Sequence, residues 1–228
     1  MPRPGLPLDA VLFDLDGVLI DSVASIGASM AHALRAMGRP VRPPEEMRRF
    51  VGPQIEESAA RLLGTDDPGQ VACWVRAYRE HYDVHCVAMT TPAEGLREVL
   101  EGLAPHVRMA VATAKPEVYS ERLLRAFGVR QHFEALCGRS LALDHESKAQ
   151  LVGRALAALG LAGGPRVLMV GDREHDVKGA RAHGIDTIGV LHGAGDRHEL
   201  EAAGARWVVP DLRAAARVVH GLLQGASR

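Results

Sequence analysis

Two aspartates, separated by one residue, follow a hydrophobic segment near the start of the chain. The segment "VLFDLDGVLIDS" covers residues 11–22 and contains Asp14 and Asp16. In an extended backbone, residues i and i+2 face the same side, so the two carboxylates are expected to lie together. Neighbouring carboxylates repel each other and resist burial unless positive charge compensates them. The pattern therefore predicts compensating positive charge beside Asp14 and Asp16.

Polar residues also follow two other hydrophobic segments that are typical of strands. The segment "VRMAVA" is followed by Thr113, Ala114 and Lys115, and "RVLMV" leads to Asp172 and Asp176. In addition, Lys148 lies near the start of a predicted helix. Ligands of open parallel sheets bind beyond the C-terminal ends of the strands. We therefore expect several carboxylates, a hydroxyl group and a lysine to converge at one edge of a sheet.

The chemistry of these groups indicates a divalent cation and a phosphate. Several carboxylates without a compact cluster of His or Cys favour a hard cation, usually Mg²⁺, which proteins often share with a substrate phosphate. Lys148, Thr113 and the backbone amides of residues 14–17 are suited to bind that phosphate. One aspartate is then suited to attack phosphorus, while the other gives and takes a proton.

The elements that must position these residues alternate along most of the chain. Six segments are predicted as strands: Ala10–Asp14, Val107–Thr113, Phe133–Gly138, Arg166–Asp172, Asp186–Leu191 and Arg206–Val209. The strongest of them are nearly continuously apolar, as in parallel strands that are covered on both faces. Helical patterns lie between them, at residues 93–103, 117–127, 147–159, 174–183 and 211–223. This alternation predicts a Rossmann-like, doubly wound α/β domain with a mostly parallel sheet.

Residues 22–90 interrupt the alternation, because they contain helical patterns and no convincing strand. We therefore predict three parts: residues 1–21 begin the core, residues 22–90 form an inserted all-helical domain, and residues 91–228 complete the core. Within the insertion, His81 and His85 are four residues apart. This spacing permits a transition-metal site, although a shared helix face is its more common cause.

Composition excludes several classes of protein. Of the 228 residues, 47% are apolar, which is enough for a substantial core. The formal net charge is −1 and no basic tract is present, which argues against a nucleic-acid partner. No apolar run approaches the roughly 20 residues that span a bilayer, and no signal peptide is evident. The three cysteines lack metal-ligand spacing, which predicts reduced thiols and a cytoplasmic location.

In combination, these motifs resemble those of a known family. The segments "DLDGVLIDS", "VATAK" and "GDREHD", with a lysine between the last two, are similar to the four motifs of the haloacid dehalogenase superfamily of aspartate-nucleophile phosphatases. The helical insertion resembles the cap domain of the subfamily that contains phosphoglycolate phosphatase. The resemblance runs over nearly the whole chain and implies a Rossmann-like core with that cap.

The resemblance implies a role for each catalytic candidate. It makes Asp14 the nucleophile and a Mg²⁺ ligand. It makes Asp16 the general acid and base, with its backbone carbonyl on Mg²⁺. Thr113 would bind the transferring phosphoryl group, and Lys148 would stabilise the negative charge on Asp14 and on the phosphoryl oxygens.

The resemblance also implies metal and substrate contacts. Asp172 would bind Mg²⁺ directly, and Asp176 would support the metal by orienting its waters or Lys148. The backbone at Gly17 and Ala114 would contact the phosphate, although relatives often have Ser or Asn at the second position. Lys115 is assigned a structural or peripheral place.

Two further expectations concern loops. Arg49 and Gln54 of the insertion are candidates for contacts with the leaving group, with a helix N-terminus as the alternative explanation for this segment. The glycine-rich segment "GVLHGAGDRHEL", residues 189–200, lacks the context of a nucleotide-binding loop, so we interpret it as a flexible loop near the site.

The sequence therefore predicts a Mg²⁺-dependent phosphatase that acts on a small phosphorylated metabolite as a monomer or homodimer. The alternatives are a phosphosugar mutase, a pyrophosphatase or 5'-nucleotidase, and a non-catalytic regulator that binds a phosphorylated ligand. A phosphonate hydrolase is disfavoured because residues 22–90 contain no lysine, whereas the enzymes of that type use a cap lysine.

Overall fold

The computed structural model describes residues 8–47, 50, 55–141 and 146–225, which form two compact units. One unit combines the chain up to Ile20 with the chain from Pro92 onward, and the other is Asp21–Thr91. The limits proposed for the helical insertion, residues 22 and 90, lie one residue inside the second unit.

The first unit is built on a six-stranded sheet in which every neighbouring pair is parallel. Its strands are β1 (Ala10–Phe13), β4 (Arg108–Pro116), β5 (Ala135–Arg139), β6 (Val167–Gly171), β7 (Asp186–Val190) and β8 (Trp207–Val209). Their order across the sheet is β5-β4-β1-β6-β7-β8. The predicted α/β class with a mostly parallel sheet is confirmed. Because β1 is flanked by β4 and β6, the segments after these three strands lie at one edge.

Helices cover the sheet of the first unit. They are α5 (Leu96–Leu103), α6 (Glu117–Ala126), α7 (Lys148–Ala158), α8 (Glu174–Arg181), α9 (Arg197–Ala203) and α10 (Leu212–Gly225). Small and branched side chains of β1, β4 and β6 pack against α7 and α8 in one core cluster, which includes Leu12, Ala112, Met169, Val152 and Ala180. This burial explains why the strands are almost continuously apolar.

Helix α9 corrects the interpretation of residues 189–200 as a loop. Its first turn falls within that segment, and the carboxylate of Asp196 accepts a hydrogen bond from the Glu199 amide at 2.8 Å. An Asp at the N-cap is a recognised start signal for a helix. The preceding glycines concealed it, and the helix of seven residues is too short for a strong periodic pattern.

The second unit is helical in its described part. Its helices are α1 (Val23–Ala36), α2 (Pro44–Met47), α3 (Ile55–Leu63) and α4 (Pro68–His85). The side chains of Trp74 and Tyr82 are almost completely buried, and the rings of Trp74 and Tyr78 stack with centroids 5.6 Å apart. The short strands β2 (Ile20–Asp21) and β3 (Thr91–Pro92) pair where the chain enters and leaves this unit.

The histidines of the second unit form a stack. The ring of His81 lies between those of His32 and His85, with centroid distances of 4.6 and 4.4 Å, and its Nδ1 is 2.9 Å from the Ser29 hydroxyl. Burial and these neighbouring imidazoles lower the pKa of His81. Among the described residues, the group of His, Cys, Asp and Glu side chains that could hold a metal ion does not include these histidines.

No helix in the described part of the chain combines the length and the apolar character that crossing a membrane requires.

Ser147 is expected to stabilise α7 as its N-cap. The Ser147 hydroxyl accepts a hydrogen bond from the Gln150 amide, and the Gln150 side chain accepts one from the Ser147 amide. Ser147→Ala should lower the free energy of unfolding by about 1 kcal/mol in urea denaturation. Ser147→Asp keeps an acceptor and should retain most of the stability, so equal losses in both variants would contradict this role.

Candidate active site

Asp14 and Asp16 lie where β1 ends. The Asp14 amide donates to the carbonyl of Val170 on β6 at 2.9 Å, which continues the strand pairing one residue beyond β1. Leu15, between the two aspartates, is fully buried, whereas Asp14 and Asp16 are partly accessible. The alternation predicted from the sequence is therefore present, and both carboxylates stand at the C-terminal edge of the sheet.

Lys148 connects two of the predicted aspartates. Its Nζ is 2.8 Å from Asp14 Oδ1 and 2.7 Å from Asp176 Oδ1, and it donates to the carbonyl of Ala112 at 2.9 Å. Burial alone would lower the pKa of this ammonium group, but the two carboxylates outweigh that effect and raise its pKa. Lys148 is thus held as a buried positive charge between the ends of β1 and β6.

The Asp176 side chain, besides contacting Lys148, also binds the backbone of the loop between β6 and α8. Its Oδ2 accepts hydrogen bonds from the amides of Asp172 and Arg173, at 3.0 and 3.1 Å. The carboxylate therefore fixes the backbone that presents Asp172, while its other oxygen faces Lys148. This geometry explains why the two aspartates of "GDREHD" are four residues apart.

The loop after β7 encloses Asp172. The amide of Ala194 donates to Asp172 Oδ2 at 2.7 Å, and His192 Nε2 lies 3.0 Å from the carbonyl of Val18. A Cβ on Gly193 would stand 2.2 Å from Asp172 Oδ2, so only glycine allows this approach. Close packing against Asp172 thus explains why this segment contains glycine at position 193.

Gly17 makes a similar close approach from the other side. Its φ is +76°, and an added Cβ would lie 2.3 Å from Asp172 Oδ2. Its amide donates to the carbonyl of Ile20 at 2.8 Å. The structure therefore gives Gly17 a role in fitting the first loop against Asp172, while a contact with phosphate stays a prediction.

Thr113, Ala114 and Lys115 follow one another within β4, which continues to Pro116 although the predicted strand ends at Thr113. The Thr113 hydroxyl accepts a hydrogen bond from the Lys115 amide at 3.2 Å and keeps its proton for a further partner. Ala114 is exposed, and its contact with phosphate stays a prediction. Lys115 is buried, and its Nζ donates to Asp16 Oδ1 and Oδ2 at 2.9 and 3.1 Å. The structural or peripheral place that we predicted for Lys115 did not include this contact with Asp16.

The remaining two sequence candidates, Arg49 and Gln54, lie outside the described residues.

Burial disfavours the ionised form of two carboxyl groups. It raises the pKa of Asp172 to about 8, and the neighbouring Asp176 and Asp14 reinforce the effect. It also raises the pKa of Asp14 to about 6, although Lys148 opposes the change. Both groups need more positive charge than the side chains around them supply.

This acidic cluster fits a divalent cation. One oxygen each from Asp14, Asp172 and Asp176 lies within 4.8 Å of the others. Asp14 Oδ1 and Asp176 Oδ1 are shielded from solvent. Both lie near Lys148, but neither accepts a hydrogen bond with suitable geometry from the described residues. With Asp16 included, four carboxyl groups face the two ammonium groups of Lys115 and Lys148, so full ionisation of the cluster leaves two negative charges. Oxygen ligands and this charge suit Mg²⁺.

Residues 11–190 match the profile of the family described as haloacid dehalogenase-like hydrolase. The chain belongs to this family. The match includes the ends of β1, β4 and β6, together with Lys148, so it covers the whole acidic cluster and both lysines beside it.

Relatives of this chain have names that denote different activities. The chain is 42% identical over 193 residues to the tyrosine-protein kinase PtkA of Mycobacterium tuberculosis, covering 84% of this chain but only 65% of that relative's length. It is 33% identical to a 5'-nucleotidase of Pseudomonas aeruginosa, covering 92% of this chain and 95% of the relative. It is also 33% identical to a phosphoglycolate phosphatase of Chromobacterium violaceum, covering 86% and 90%. The last of these matches supports the phosphoglycolate phosphatase-like subfamily.

Solved structures show the same fold. A predicted phosphatase from Clostridium acetobutylicum superimposes with a TM-score of 0.87 at 29% identity, covering 95% of this chain and all of the other. The structure of PtkA gives a TM-score of 0.80 at 36% identity and covers 94% of this chain and 99% of that one.

Asp172→Asn is expected to stabilise the metal-free protein at neutral to alkaline pH. An exposed Asp ionises near pH 4, whereas folded Asp172 keeps its proton up to about pH 8. The wild type should therefore lose about 1.4 kcal/mol of unfolding free energy per pH unit through this group as the pH rises. Asn removes that loss, so the advantage of the variant should grow up to about pH 8.

Urea denaturation with a chelator, at several pH values, measures this difference. Asp66→Asn, at an exposed position, removes the same charge and is the matched control. Added Mg²⁺ should stabilise the wild type and not Asp172→Asn. A pH-independent difference for Asp172→Asn would contradict the raised pKa.

Proposed function

We propose that this protein is a Mg²⁺-dependent phosphatase that hydrolyses a small phosphate monoester through an aspartyl-phosphate on Asp14. The observation that supports it most strongly is the cluster of Asp14, Asp172 and Asp176 around Lys148. Such a cluster provides a nucleophile, ligands for a cation, and a fixed positive charge within a few ångströms.

The first chemical step is transfer of the phosphoryl group to Asp14. An Asp14 oxygen forms a bond to phosphorus while the bond between phosphorus and the ester oxygen breaks. The electron pair of the broken bond goes to the ester oxygen, which takes a proton from Asp16. Lys148 would remain protonated beside Asp14 and offset the negative charge, and the Thr113 hydroxyl would donate its proton to a phosphoryl oxygen.

The second step is hydrolysis of the aspartyl-phosphate. Asp16, now a carboxylate, takes a proton from water, and the water oxygen attacks phosphorus. The bond between phosphorus and the Asp14 oxygen breaks, which releases inorganic phosphate and restores Asp14. Both steps use one carboxyl group of Asp16 in opposite directions, so its position must stay fixed between them.

Mg²⁺ would be held by Asp14, Asp172 and the backbone carbonyl of Asp16. Asp176 would support this site. When bound, this ion would neutralise the carboxylates and polarise the phosphoryl group as a Lewis acid. The two negative charges that remain on the cluster support this assignment.

For the helical unit Asp21–Thr91, we propose the role of a cap that selects the ester. A separate helical unit inserted after the first motif supports this role, as does the resemblance of this segment to phosphoglycolate phosphatase caps. Arg49 and Gln54 are the proposed contacts with the leaving group. Phosphoglycolate is the first candidate substrate and nucleoside monophosphates are the second, because relatives bear both names. We also propose that the protein acts in the cytoplasm as a monomer or homodimer.

Asp14→Asn should lower phosphate release by at least about 1,000-fold, because the amide is not a nucleophile for phosphorus. The assay measures inorganic phosphate from a panel of small esters with and without Mg²⁺. Asp9→Asn, at the opposite end of β1, serves as the matched control and should retain activity. Full activity of Asp14→Asn would exclude the proposed nucleophile, and ester binding without turnover by the wild type would favour a non-catalytic regulator.

A second candidate function is transfer of the phosphoryl group to an acceptor other than water. The 42% identity to PtkA favours a tyrosine hydroxyl as that acceptor, and a phosphosugar mutase would use a sugar hydroxyl. The three tyrosines of this chain, Tyr78, Tyr82 and Tyr119, are all buried, with 2–8% of their surfaces exposed. An acceptor tyrosine would therefore belong to another protein.

Incubation with ATP labelled at the γ-phosphate, with Mg²⁺, separates these functions. For the phosphatase, we expect any label on the chain to be sensitive to hydroxylamine, as an acyl phosphate is, and absent from Asp14→Asn. We expect no phosphotyrosine on the chain, because its tyrosines are buried. Stable phosphotyrosine on the chain would contradict this expectation, and ester turnover without equivalent phosphate release would favour the mutase.

A further inference from the structure

The ammonium group of Lys115 reaches the proposed general acid from the interior of the protein. The Lys115 side chain is 4% exposed, whereas the Asp16 side chain is 24% exposed. The lysine therefore lies behind the carboxylate, and Asp16 presents the accessible part of the pair. A group in this place acts on a reaction through Asp16 rather than by touching the ester.

The backbone around Lys115 is fixed by β4 and its neighbour. Lys115 lies in the last part of β4, where the register with β5 shifts between Thr113 and Pro116. Thr113 and Lys115 are buried on either side of the exposed Ala114, as side chains alternate along a strand, and the Lys115 amide donates to the Thr113 hydroxyl. A side chain that begins on a rigid strand can hold its partner with little freedom.

The contact itself restrains the orientation of the carboxyl group. Lys115 Nζ lies at hydrogen-bond distance from both Asp16 oxygens, 2.9 and 3.1 Å. An ammonium group with little access to water needs such a partner, because an unpaired buried charge is strongly unfavourable. The pair therefore resists rotation of the Asp16 side chain away from its observed position.

Each of the two buried lysines contacts a different one of the proposed catalytic aspartates, Asp14 and Asp16. Lys148 contacts Asp14 and Asp176, and Lys115 contacts Asp16. We propose that Lys115 is the positioning residue of Asp16, because it holds the Asp16 carboxyl group in the orientation in which this group gives its proton to the ester oxygen. This inference rests on the proposed phosphatase function.

The inference predicts an effect that depends on the leaving group. An alkyl ester leaves as a strongly basic alkoxide unless it is protonated, whereas 4-nitrophenolate leaves readily without a proton. Lys115→Met should therefore lower kcat/KM about 100-fold for the best alkyl ester of the panel, within the range of general acid catalysis, and less than about tenfold for 4-nitrophenyl phosphate. The constant kcat/KM is suitable because it does not include the later hydrolysis of the aspartyl-phosphate.

The hydrolysis step gives a second, independent readout. Asp16 serves there as the base for water, so Lys115→Met should slow this step for every ester. With 4-nitrophenyl phosphate, the variant should release one rapid equivalent of nitrophenolate per active site before a slow steady rate. A purely structural defect would reduce the active fraction, and with it the size of the burst.

A double variant tests whether Lys115 acts through Asp16. Asp16→Asn with Lys115→Met should be no less active than Asp16→Asn alone, because residues that act as a unit are not additive. The double variant also leaves no unpaired charge at this position, so it is expected to fold even if Lys115→Met does not. Lys148→Met is the matched control and should reduce kcat/KM for both esters alike.

Equal losses for alkyl and aryl esters in Lys115→Met, or additive losses in the double variant, would overturn this inference while the wild type remains an active phosphatase. A wild type that hydrolyses neither ester would overturn the proposed function, and the inference with it.

Discussion

The structure around the site is governed by an excess of negative charge at the ends of three parallel strands. Four carboxylates meet there, and two buried ammonium groups compensate only half of their charge. Burial raises the pKa values of Asp14 and Asp172, which means that their ionised forms are unfavourable without a further cation. A phosphate ester would bring more negative charge, so the same lack of positive charge that destabilises the free site would favour a divalent cation there.

The order of the strands makes this concentration of charge possible. Because β1 lies between β4 and β6, the residues after all three strands stand beside one another, although they are far apart in sequence. Hydrogen bonds from the backbone to Asp176, in the first turn of α8, and from Ala194 to Asp172 then fix these two carboxylates. Charged groups that repel one another are thus held by a backbone whose stability comes from the apolar core beneath it.

Much of this arrangement could be predicted from the sequence, because strand ends are recognisable and the sheet is parallel. Asp14, Asp16, Asp172 and Asp176 follow strong apolar segments, whereas Lys148 was placed near the start of a predicted helix and owed its role to the family resemblance. Lys115 was harder to place, since its role depends on an irregular extension of β4 that no periodic pattern reveals. Helix α9 was missed because its short length and preceding glycines hide the helical signal. The contacts that choose an ester depend on side chains of the helical unit, which local patterns do not locate.

The paired strands β2 and β3 bring the two connections of the helical unit side by side. Entry and exit at neighbouring points mean that everything between them can be lengthened, shortened or exchanged while the five strand pairings of the main sheet remain unchanged. If the helical unit selects the ester as proposed, a lineage with this architecture would acquire a new selectivity by replacing one continuous stretch of its gene, and would inherit the proposed phosphoryl chemistry without alteration.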